Sequence, residues 1–463
     1  MSVLMELEIL VPCCFFLVAL MKFLYDYLWV PLRVQHMMNS QGIKGPPYNF
    51  ITTNNKPMAL SHDIFPKVQP HIYTWINKYG KNFLYWNGLK NSEQAFPKRT
   101  PSIYGRKLLG NGLVFLEGEK WAKHRKLANY AFHGESLKTM TPAIIASVET
   151  MMKKWKGQEG KEIEVFNEFR LLTSEVISRT AFGSNYLEGE KIFDMLKKLS
   201  IILGRNIFKT KIPFIKYLTC VFYIKIWKTA DLLESEKLEK GIHDCVLEIV
   251  KKRENKFVSG EVDGFGNDFL GLLVNAFHHL NDKNMLSMED LVDECKTFYF
   301  AGQETVNSYL LGLSCLYSIF SCNMHGSGTF SSTWLHAGQL QHQLSGMMRK
   351  VEKEVRLGKL VLPANIDLQI ASIAFYYDPQ LWGDDVHLFK PERFAEGIAK
   401  ATNYNTTAFF PSGSGPRSCV GMAFATTEAK IALSMILQRY SFTLSPAYVY
   451  SPTTPFNHNM EFK

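Results

Sequence analysis

The chain has 463 residues, 46% of them hydrophobic, so it is long enough to bury a large core. A formal net charge of +9 suits nucleic acid, an acidic partner protein or an anionic membrane. The basic residues form no dense run interleaved with aromatic residues, which argues against nucleic acid. The eight cysteines include no C-x-x-C pair, which argues against a disulfide scaffold or a zinc ribbon and indicates a reducing compartment.

The N-terminus is apolar. No charged residue occurs between positions 9 and 21, and the apolar character extends over residues 7–30. The uncharged stretch alone is short for a spanning helix, but the aromatic residues that end at Trp29 suit a membrane interface. A cleaved signal peptide is the alternative, and the acidic start and the lack of a small-residue cleavage site disfavour it.

These features predict three segments. Residues 1–30 are expected to form a membrane anchor and residues 31–47 a Pro/Gly hinge, followed by one large domain over residues 48–463. Because Arg33 and Lys44 come directly after the anchor, the domain is expected on the cytosolic side of the membrane.

Two helices are predicted before residue 130. Residues 71–79 have helical spacing and end at Gly80, a residue typical of helix C-termini. Residues 118–126 begin a second helix, in which Trp121 and Arg125 are four apart and therefore share a face. This helix has a basic surface, which either binds an acidic partner or is only solvated; its lysines are Lys120, Lys123 and Lys126.

A long helix is predicted to begin after Ser287, because a serine cap followed by acidic residues is a typical helix start. It is expected to run past Leu310 and contains the sequence Ala-Gly-Gln-Glu-Thr at residues 301–305. A glycine inside a helix costs about 1 kcal/mol relative to alanine. Taken alone, these residues fit a packing glycine and a threonine that bonds back to a carbonyl.

An earlier basic, aromatic stretch, residues 211–228, suits either a membrane interface or a buried helix.

The most specific pattern is Phe-x-x-Gly-x-Gly-x-Arg-x-Cys-x-Gly, from Phe410 to Gly421. Its glycines and proline predict a loop, which leads into an apolar helix expected over residues 423–440. The helix start is expected to lower the pKa of the Cys419 thiol, and Arg417 adds a cation suited to a carboxylate. A buried structural cysteine is the alternative. A dinucleotide-binding loop is excluded because no strand–glycine–helix unit with a downstream acid is visible.

This pattern closely resembles the cysteine-ligand loop of the heme-thiolate monooxygenases, the cytochrome P450 family. The resemblance covers most of the chain and is strongest to plant members similar to secologanin synthase and to terpenoid or gibberellin oxidases. It implies a mainly α fold, a single large helical domain with a small β-sheet part, preceded by an N-terminal membrane helix. It also implies a single-pass protein of the endoplasmic reticulum membrane.

The resemblance further implies a cofactor and a site. The cofactor is heme b (iron protoporphyrin IX), and Cys419 is the axial ligand of its iron. Glu304 and Thr305 are the implied catalytic residues, which manage protons. The implied cofactor-binding residues hold the propionates, leave room above the heme or shape the loop; they are Trp121, Arg125, Ala301, Gly302, Phe410, Gly413, Arg417 and Gly421.

The implied reaction is insertion of one oxygen atom from O2 into a C–H bond of a small hydrophobic metabolite, with a terpenoid as the expected class. Electrons come from NADPH through an NADPH-cytochrome reductase. The other expected partners are membrane lipid and the small hydrophobic substrate. The chain is expected to be a monomer.

The sequence departs from the family pattern in three places, at about residues 89–98, 312–348 and 449–463. No glutamate in the chain has an arginine three residues after it, so the E-x-x-R of the family is absent. Arg393 of the matching P-E-R-F sequence therefore lacks its family partners, and a buried unpaired arginine costs several kcal/mol.

The departures support an alternative of a different class, a non-catalytic or heme-deficient splice or gene-model variant of such an enzyme. A heme-thiolate isomerase that needs no external electrons is a third alternative, and the presence of Glu304 and Thr305 argues against it.

Two strands are predicted in the later part of the chain, at residues 359–363 and 367–374.

Overall fold

The computed structural model describes residues 14, 16–46, 70–84, 102–184, 186–207, 229–278, 286–321, 347–388 and 390–445. They belong to two compact units, the first within residues 1–99, 208–229 and 346–374 and the second within residues 100–207, 230–345 and 375–463. The predicted breaks at 89–98 and 449–463, most of the break at 312–348 and the segment 211–228 lie outside the described residues.

The first unit begins with a helical segment over residues 16–40. A π turn at Tyr25–Trp29 leads into helix α1 (Val30–Ser40). Large apolar side chains in this segment, such as Phe16 and Met21, are exposed. No helix in the part of the chain that the structure describes is both long enough and apolar enough to cross a membrane.

The other described residues of the first unit include a helix, α2 (Pro70–Tyr79), and four strands, β1 (Met347–Val351), β2 (Val355–Leu357), β3 (Leu360–Leu362) and β4 (Ile366–Ile370). β1 pairs antiparallel with β4, and β2 pairs antiparallel with β3. Side chains of α1, Val34 and Met38, belong to one small core with Val351 and Leu362.

The helix predicted at residues 71–79 is confirmed. It ends where Gly80 adopts a φ of +93°, a conformation that favours glycine. The strand predicted at residues 367–374 is correct only in its first half. β4 ends at Ile370, and a short helix, α12 (Ser372–Tyr376), begins because the chain turns and the N–H of Ala374 donates to Ala371 O at 2.9 Å.

The second unit is almost entirely helical in its described residues. With the small sheets of the first unit, it confirms the mainly helical fold with a small β part. Its helices are α3 (Ile103–Leu109), α4 (Gly118–Ala131), α5 (Gly134–Trp155), α6 (Val165–Ala181), α7 (Tyr186–Ile207), α8 (Ala230–Val258), α9 (Phe269–His278), α10 (Met288–Phe300), α11 (Val306–Ser321), α13 (Pro379–Trp382), α14 (Ile398–Ala401) and α15 (Met422–Leu437).

Four of these helices pack together within the core of the second unit. α5 packs against α6, α6 against α11, α11 against α15, and α15 against α5, so the four form a closed ring. Each contributes fully buried aliphatic side chains, for example Val148, Val176, Leu313 and Leu433. The helix predicted over residues 423–440 is α15, one of the four helices of this ring. The cysteine loop leads directly into it.

The long helix predicted after Ser287 is confirmed as a continuous helical run. Ser287 accepts from the N–H of Asp290 at 3.1 Å, and the Asp290 carboxylate accepts from the N–H of Ser287 at 3.2 Å. These two bonds form a capping box, which satisfies N–H groups that the helix itself cannot. α10 then continues through a π turn at Ala301–Thr305 into α11.

We expect Ser287→Ala to lower the free energy of unfolding by about 1 kcal/mol, because α10 loses its N-terminal cap. Ser287→Asn keeps a capping oxygen and should retain most of that stability. Urea unfolding of the three proteins measures both effects. Equal losses for the alanine and asparagine variants would show that the hydroxyl acts in some way other than capping.

Candidate functional site

The loop from Phe410 to Gly421 is closed by its own backbone. The N–H of Cys419 donates to Ser412 O at 2.8 Å, and the N–H of Gly413 donates to Phe410 O at 3.0 Å. Gly413 and Gly415 have φ values of +78° and +79°, which side chains disfavour. These turns explain why the pattern needs glycine at both positions, and they bring Cys419 to a place three residues before α15 begins at Met422.

Open space lies beside the loop. A Cβ atom built on Gly421 would meet no atom within 4 Å, and one built on Gly413 would meet only the Cα of Ser418, at 3.8 Å. The Cys419 side chain is exposed and its thiol is free. The loop therefore presents a thiol next to backbone that a flat ligand can approach closely.

The electrostatics of the thiol differ from the sequence-based expectation. Although the Cys419 side chain is exposed at the surface, protein atoms packed around it displace part of its water and raise the pKa of the thiol, while the N–H of Gly421 and the charge of Arg125 lower it. The net direction is upward, so the prediction that the helix start lowers this pKa is wrong for the protein chain alone. The helix start does act in the predicted direction, but desolvation outweighs it.

Three residues that the sequence assigned to propionates come together around the loop. Arg125 Nη1 donates to Ser418 O at 2.5 Å. Arg417 Nη1 donates to Leu116 O at 2.6 Å, and its guanidinium lies 4.1 Å from the centroid of the Trp121 ring. Two fixed cations and an indole thus lie at the cysteine loop, which is the donor set that carboxylate groups of a ligand require.

The π turn between α10 and α11 carries a second set of predicted residues. Ala301 and Thr305 are exposed, as is Ser308 one turn later, although Gln303 and Val306 between them are buried. One narrow face of a core helix is therefore accessible. Thr305 Oγ1 donates to Ala301 O at 2.6 Å, the backbone bond that the alternative interpretation expected. π turns within α-helices occur frequently at functional sites.

Gly302 lies on a different face of this helix. A Cβ built on it would come within 2.5 Å of Cγ1 and 2.6 Å of Cδ1 of Ile177 in α6. Close packing of α6 against the π turn therefore supplies a physical reason for this glycine. The role above a heme that the resemblance implies for it stays a prediction.

Glu304 has an altered acidity. Burial raises the pKa of its carboxyl group, and the positive charges of Arg170 and Lys197 oppose the shift. A carboxyl group with a raised pKa holds a proton closer to neutral pH than an ordinary glutamate, which suits a group that accepts and returns protons.

Arg393 is not unpaired, contrary to the concern that the sequence raised. It donates through Nη1 to Trp382 O and through Nη2 to Asp385 Oδ1 at 2.8 Å and Asp385 O at 3.1 Å. Hydrogen bonds from Lys390 and Arg393 lower the pKa of Asp385 to about 2. The arginine has thus acquired local partners within the described residues, which weakens one reason for the non-catalytic alternative.

The segment around Arg393 also contacts the cysteine loop through aromatic residues. The N–H of Phe410 donates to the hydroxyl of Tyr376 at 3.0 Å. Tyr376, Trp382 and Phe394 are buried in one cluster against Phe409. Sequence reasoning missed Tyr376 and Asp385. Loops bring Tyr376 to Phe410 and Asp385 to Arg393, and contacts made through loops leave no periodic pattern in the sequence.

The chain is similar to known proteins over most of its length. The family model "Cytochrome P450" matches residues 85–315 and 340–457. The gap between the two matches lies inside the predicted break at 312–348, whereas residues 89–98 lie within the first match. Cytochrome P450 CYP749A22 of Panax ginseng is 48% identical over 490 aligned residues, which cover 95% of this chain and 92% of that protein.

Two further relatives come from Medicago truncatula. Cytochrome P450 72A68 is 34% identical and covers 92% of this chain and 91% of its own length. The protein named 11-oxo-beta-amyrin 30-oxidase is 35% identical, with coverage of 93% and 92%. Among solved structures, retinoic acid bound cyanobacterial CYP120A1 has a TM-score of 0.61 at 22% identity, over 76% of this chain and 79% of that chain, which supports the fold.

We expect Asp385→Asn to lower the melting temperature, because the Arg393 guanidinium loses a charged partner. The folded-state pKa of Asp385 lies below the ordinary value of about 3.9, so the pair stabilises the fold above about pH 4 and this contribution disappears as the pH falls toward about 2. The exposed neighbour Asp384→Asn is the control. Equal melting temperatures for the two variants at neutral pH would contradict the assignment.

Gly302→Ala should destabilise the protein by about 1–3 kcal/mol through overpacking against Ile177. Adding Ile177→Ala to Gly302→Ala should cost less than Ile177→Ala costs alone, because the new methyl group fills part of the space. Gly134→Ala, at a helical glycine with no atom within 4 Å of a built Cβ, is the control. Strictly additive losses in urea unfolding would rule out a packing role.

Proposed function

The chain belongs to the cytochrome P450 family, and from that premise we propose that it inserts one oxygen atom from O2 into a C–H bond of a small hydrophobic terpenoid. The family is one of oxidoreductases with heme b as cofactor and a reductase as the source of electrons. The observation that carries the proposal is the exposed thiol of Cys419, held in a closed loop beside the guanidinium of Arg125.

The residues around Cys419 fit heme b. A single accessible thiol can ligate the iron, two guanidinium groups and an indole can hold the propionates, and the open side of Gly421 leaves room for the ring. Cys419 would ligate the iron of heme b, and Trp121, Arg125 and Arg417 would hold its propionates. Phe410 and Gly413 shape the loop. Heme b, when bound through a cysteine thiolate, supplies the activation of dioxygen, which the thiolate favours by donating electron density.

The protein's own residues then position the substrate and dioxygen and transfer protons. The accessible face of Ala301 and Thr305 is where we place the substrate and dioxygen, with Gly302 beside it. The Thr305 hydroxyl, which donates to Ala301 O, keeps lone pairs that can accept a hydrogen bond. Glu304, whose pKa is raised by burial, serves as the carboxyl group that holds the proton and returns it.

The terpenoid class rests on the relatives. The name 11-oxo-beta-amyrin 30-oxidase states that this relative oxidises one carbon of a terpenoid, and it is 35% identical to the chain. The face that we assign to the substrate carries three exposed side chains that are all small, Ala301, Thr305 and Ser308. A small hydrophobic metabolite of this class is therefore the proposed substrate.

We also propose that residues 1–30 anchor the chain in the endoplasmic reticulum membrane and that residues 31–47 connect this anchor to a cytosolic domain over residues 48–463. Exposed apolar side chains over residues 16–32 support contact with membrane lipid. Trp29 stacks on Tyr25 at 5.1 Å, and the Arg33 guanidinium lies 5.0 Å from its ring centroid. Aromatic and basic residues in this arrangement suit the membrane interface.

The proposed electron donor is an NADPH-cytochrome reductase, and the chain is proposed to act as a monomer. Support comes from the basic helix α4, where Lys123 and Lys126 accompany Lys120. Lys120 is half exposed although it pairs with Asp290 at 2.5 Å. A basic surface on the helix that also carries Arg125 suits an acidic partner that delivers electrons close to the heme.

The test begins with the purified full-length chain in detergent, supplied with heme. After reduction and addition of carbon monoxide, we expect the red-shifted band of a thiolate-bound carbonyl complex, and we expect Cys419→Ser to lose it. With reductase, NADPH and a panel of terpenoids, product should carry label from isotopic O2. Glu304→Gln and Thr305→Ala should slow product formation by roughly 10²–10⁴-fold.

Glu135→Gln, at an exposed ion pair with Lys138, is the control and should retain full activity. No heme band in the wild type, or a band typical of a displaced thiolate, would contradict the proposed function. A normal band without labelled product from any terpenoid would retain the heme site and reject the substrate class.

A further inference from the structure

A buried pair of ionisable side chains joins two helices of the second unit. His124 in α4 and Glu294 in α10 are each 1% exposed, and Nδ1 of His124 lies 2.6 Å from Oε1 of Glu294. Burial raises the pKa of the Glu294 carboxyl group, while His124 and the N–H of Leu113 lower it. Neither residue was singled out in the sequence, where both lie among charged neighbours.

The two helices carry different parts of the candidate site. His124 directly precedes Arg125, whose guanidinium reaches Ser418 O beside Cys419. Glu294 lies in α10, which continues through Phe300 into the π turn with Ala301 and Thr305. The His124–Glu294 contact therefore links α4, whose Arg125 binds the cysteine loop, to α10, which leads into the accessible face at Ala301 and Thr305.

The chain between α3 and α4 supports the same link. Thr297 Oγ1 donates to Leu109 O at 2.7 Å, and the N–H of Asn111 donates to Asp293 Oδ2 at 2.8 Å. A Cβ on Gly112 would come within 2.5 Å of Thr297 Oγ1. One face of α10 thus contacts residues 109–113 shortly before α4 begins, and Lys120 of α4 also pairs with Asp290 of α10, so movement of α4 along α10 is restricted.

The chemistry of the pair is unusual for a contact that only fills space. Removing two ionisable groups from water is costly, and apolar side chains of similar volume often give equal or greater stability. A buried hydrogen bond is directional, however, and fixes both the separation and the rotation of the helices that it joins. Surface pairs on the same helix lack this constraint, as in Glu289 with His243, at 3.3 Å and largely exposed on the glutamate side.

We propose that His124 and Glu294 are positioning residues for the heme site, holding α4 against α10 so that Arg125 and Trp121 keep their places at the cysteine loop. This inference rests on the proposed function, because it assigns the pair a task toward the heme. It assigns the pair no contact with the heme, the substrate or the iron.

The first experiment compares Glu294→Gln and His124→Leu with the wild-type full-length chain and with Glu289→Gln, the matched exposed control on the same helix. Heme titration of each purified apoprotein gives the affinity, and the reduced carbonyl complex gives the share of chains with a thiolate ligand. We expect about a tenfold weaker heme affinity and a smaller thiolate share for the two buried variants. Glu289→Gln should match the wild type.

The second experiment separates positioning from stability. The double variant His124→Leu with Glu294→Leu removes both ionisable groups and should recover the melting temperature lost in His124→Leu. We expect it to retain the weak heme affinity and the reduced thiolate share, because no directional contact replaces the pair. Circular dichroism of each apoprotein checks that the helices are formed.

The outcomes are distinguishable. If the wild type binds no heme, the proposed function and this inference both fail. If the wild type binds heme and the single variants match it in affinity and thiolate share, only this inference fails. Recovery of heme affinity and thiolate share by the double variant would also overturn it, since stability alone would then explain the losses.

Discussion

The site depends on holding one cysteine at a fixed place beside two cations. The hydrogen bond from the N–H of Cys419 to Ser412 O closes the loop. Arg125 holds the loop next to the cysteine by donating to Ser418 O. Arg417 extends from the same loop to Leu116 O while lying against Trp121. The two arginine contacts join the loop to α4 and to the chain directly before α4, so the position of the thiol depends on where α4 lies.

The segment before the loop, from Tyr376 to Phe394, also holds the loop in place. It does so without the E-x-x-R of the family. The absence of E-x-x-R leaves Arg393 without its family partners, but the arginine bonds to Asp385 and to Trp382 O instead. Tyr376 carries this support to the loop through the N–H of Phe410. Local pairing of this kind satisfies the buried guanidinium, so the loss of a family motif need not leave an uncompensated charge.

Sequence reasoning predicted the parts of the molecule that depend on short-range patterns. The cap at Ser287, the glycine end of α2 and the helix after Cys419 follow from local spacing. The family resemblance implied that Trp121, Arg125 and Arg417 gather at the loop. Sequence reasoning could not predict the upward pKa shift of Cys419, because desolvation depends on surrounding atoms, nor the contact of Gly302 with Ile177. The His124–Glu294 pair, 170 residues apart in sequence, leaves no local signal either.

The central claim is that Cys419 binds the heme iron in this chain although E-x-x-R is absent. X-ray absorption at the iron edge of the heme-loaded, full-length protein tests it most directly, because the scattering reports the elements bound to the metal. The account predicts one sulfur in the coordination sphere of the iron in the wild type and its loss in Cys419→Ser. Coordination by nitrogen and oxygen alone in the wild type would contradict it.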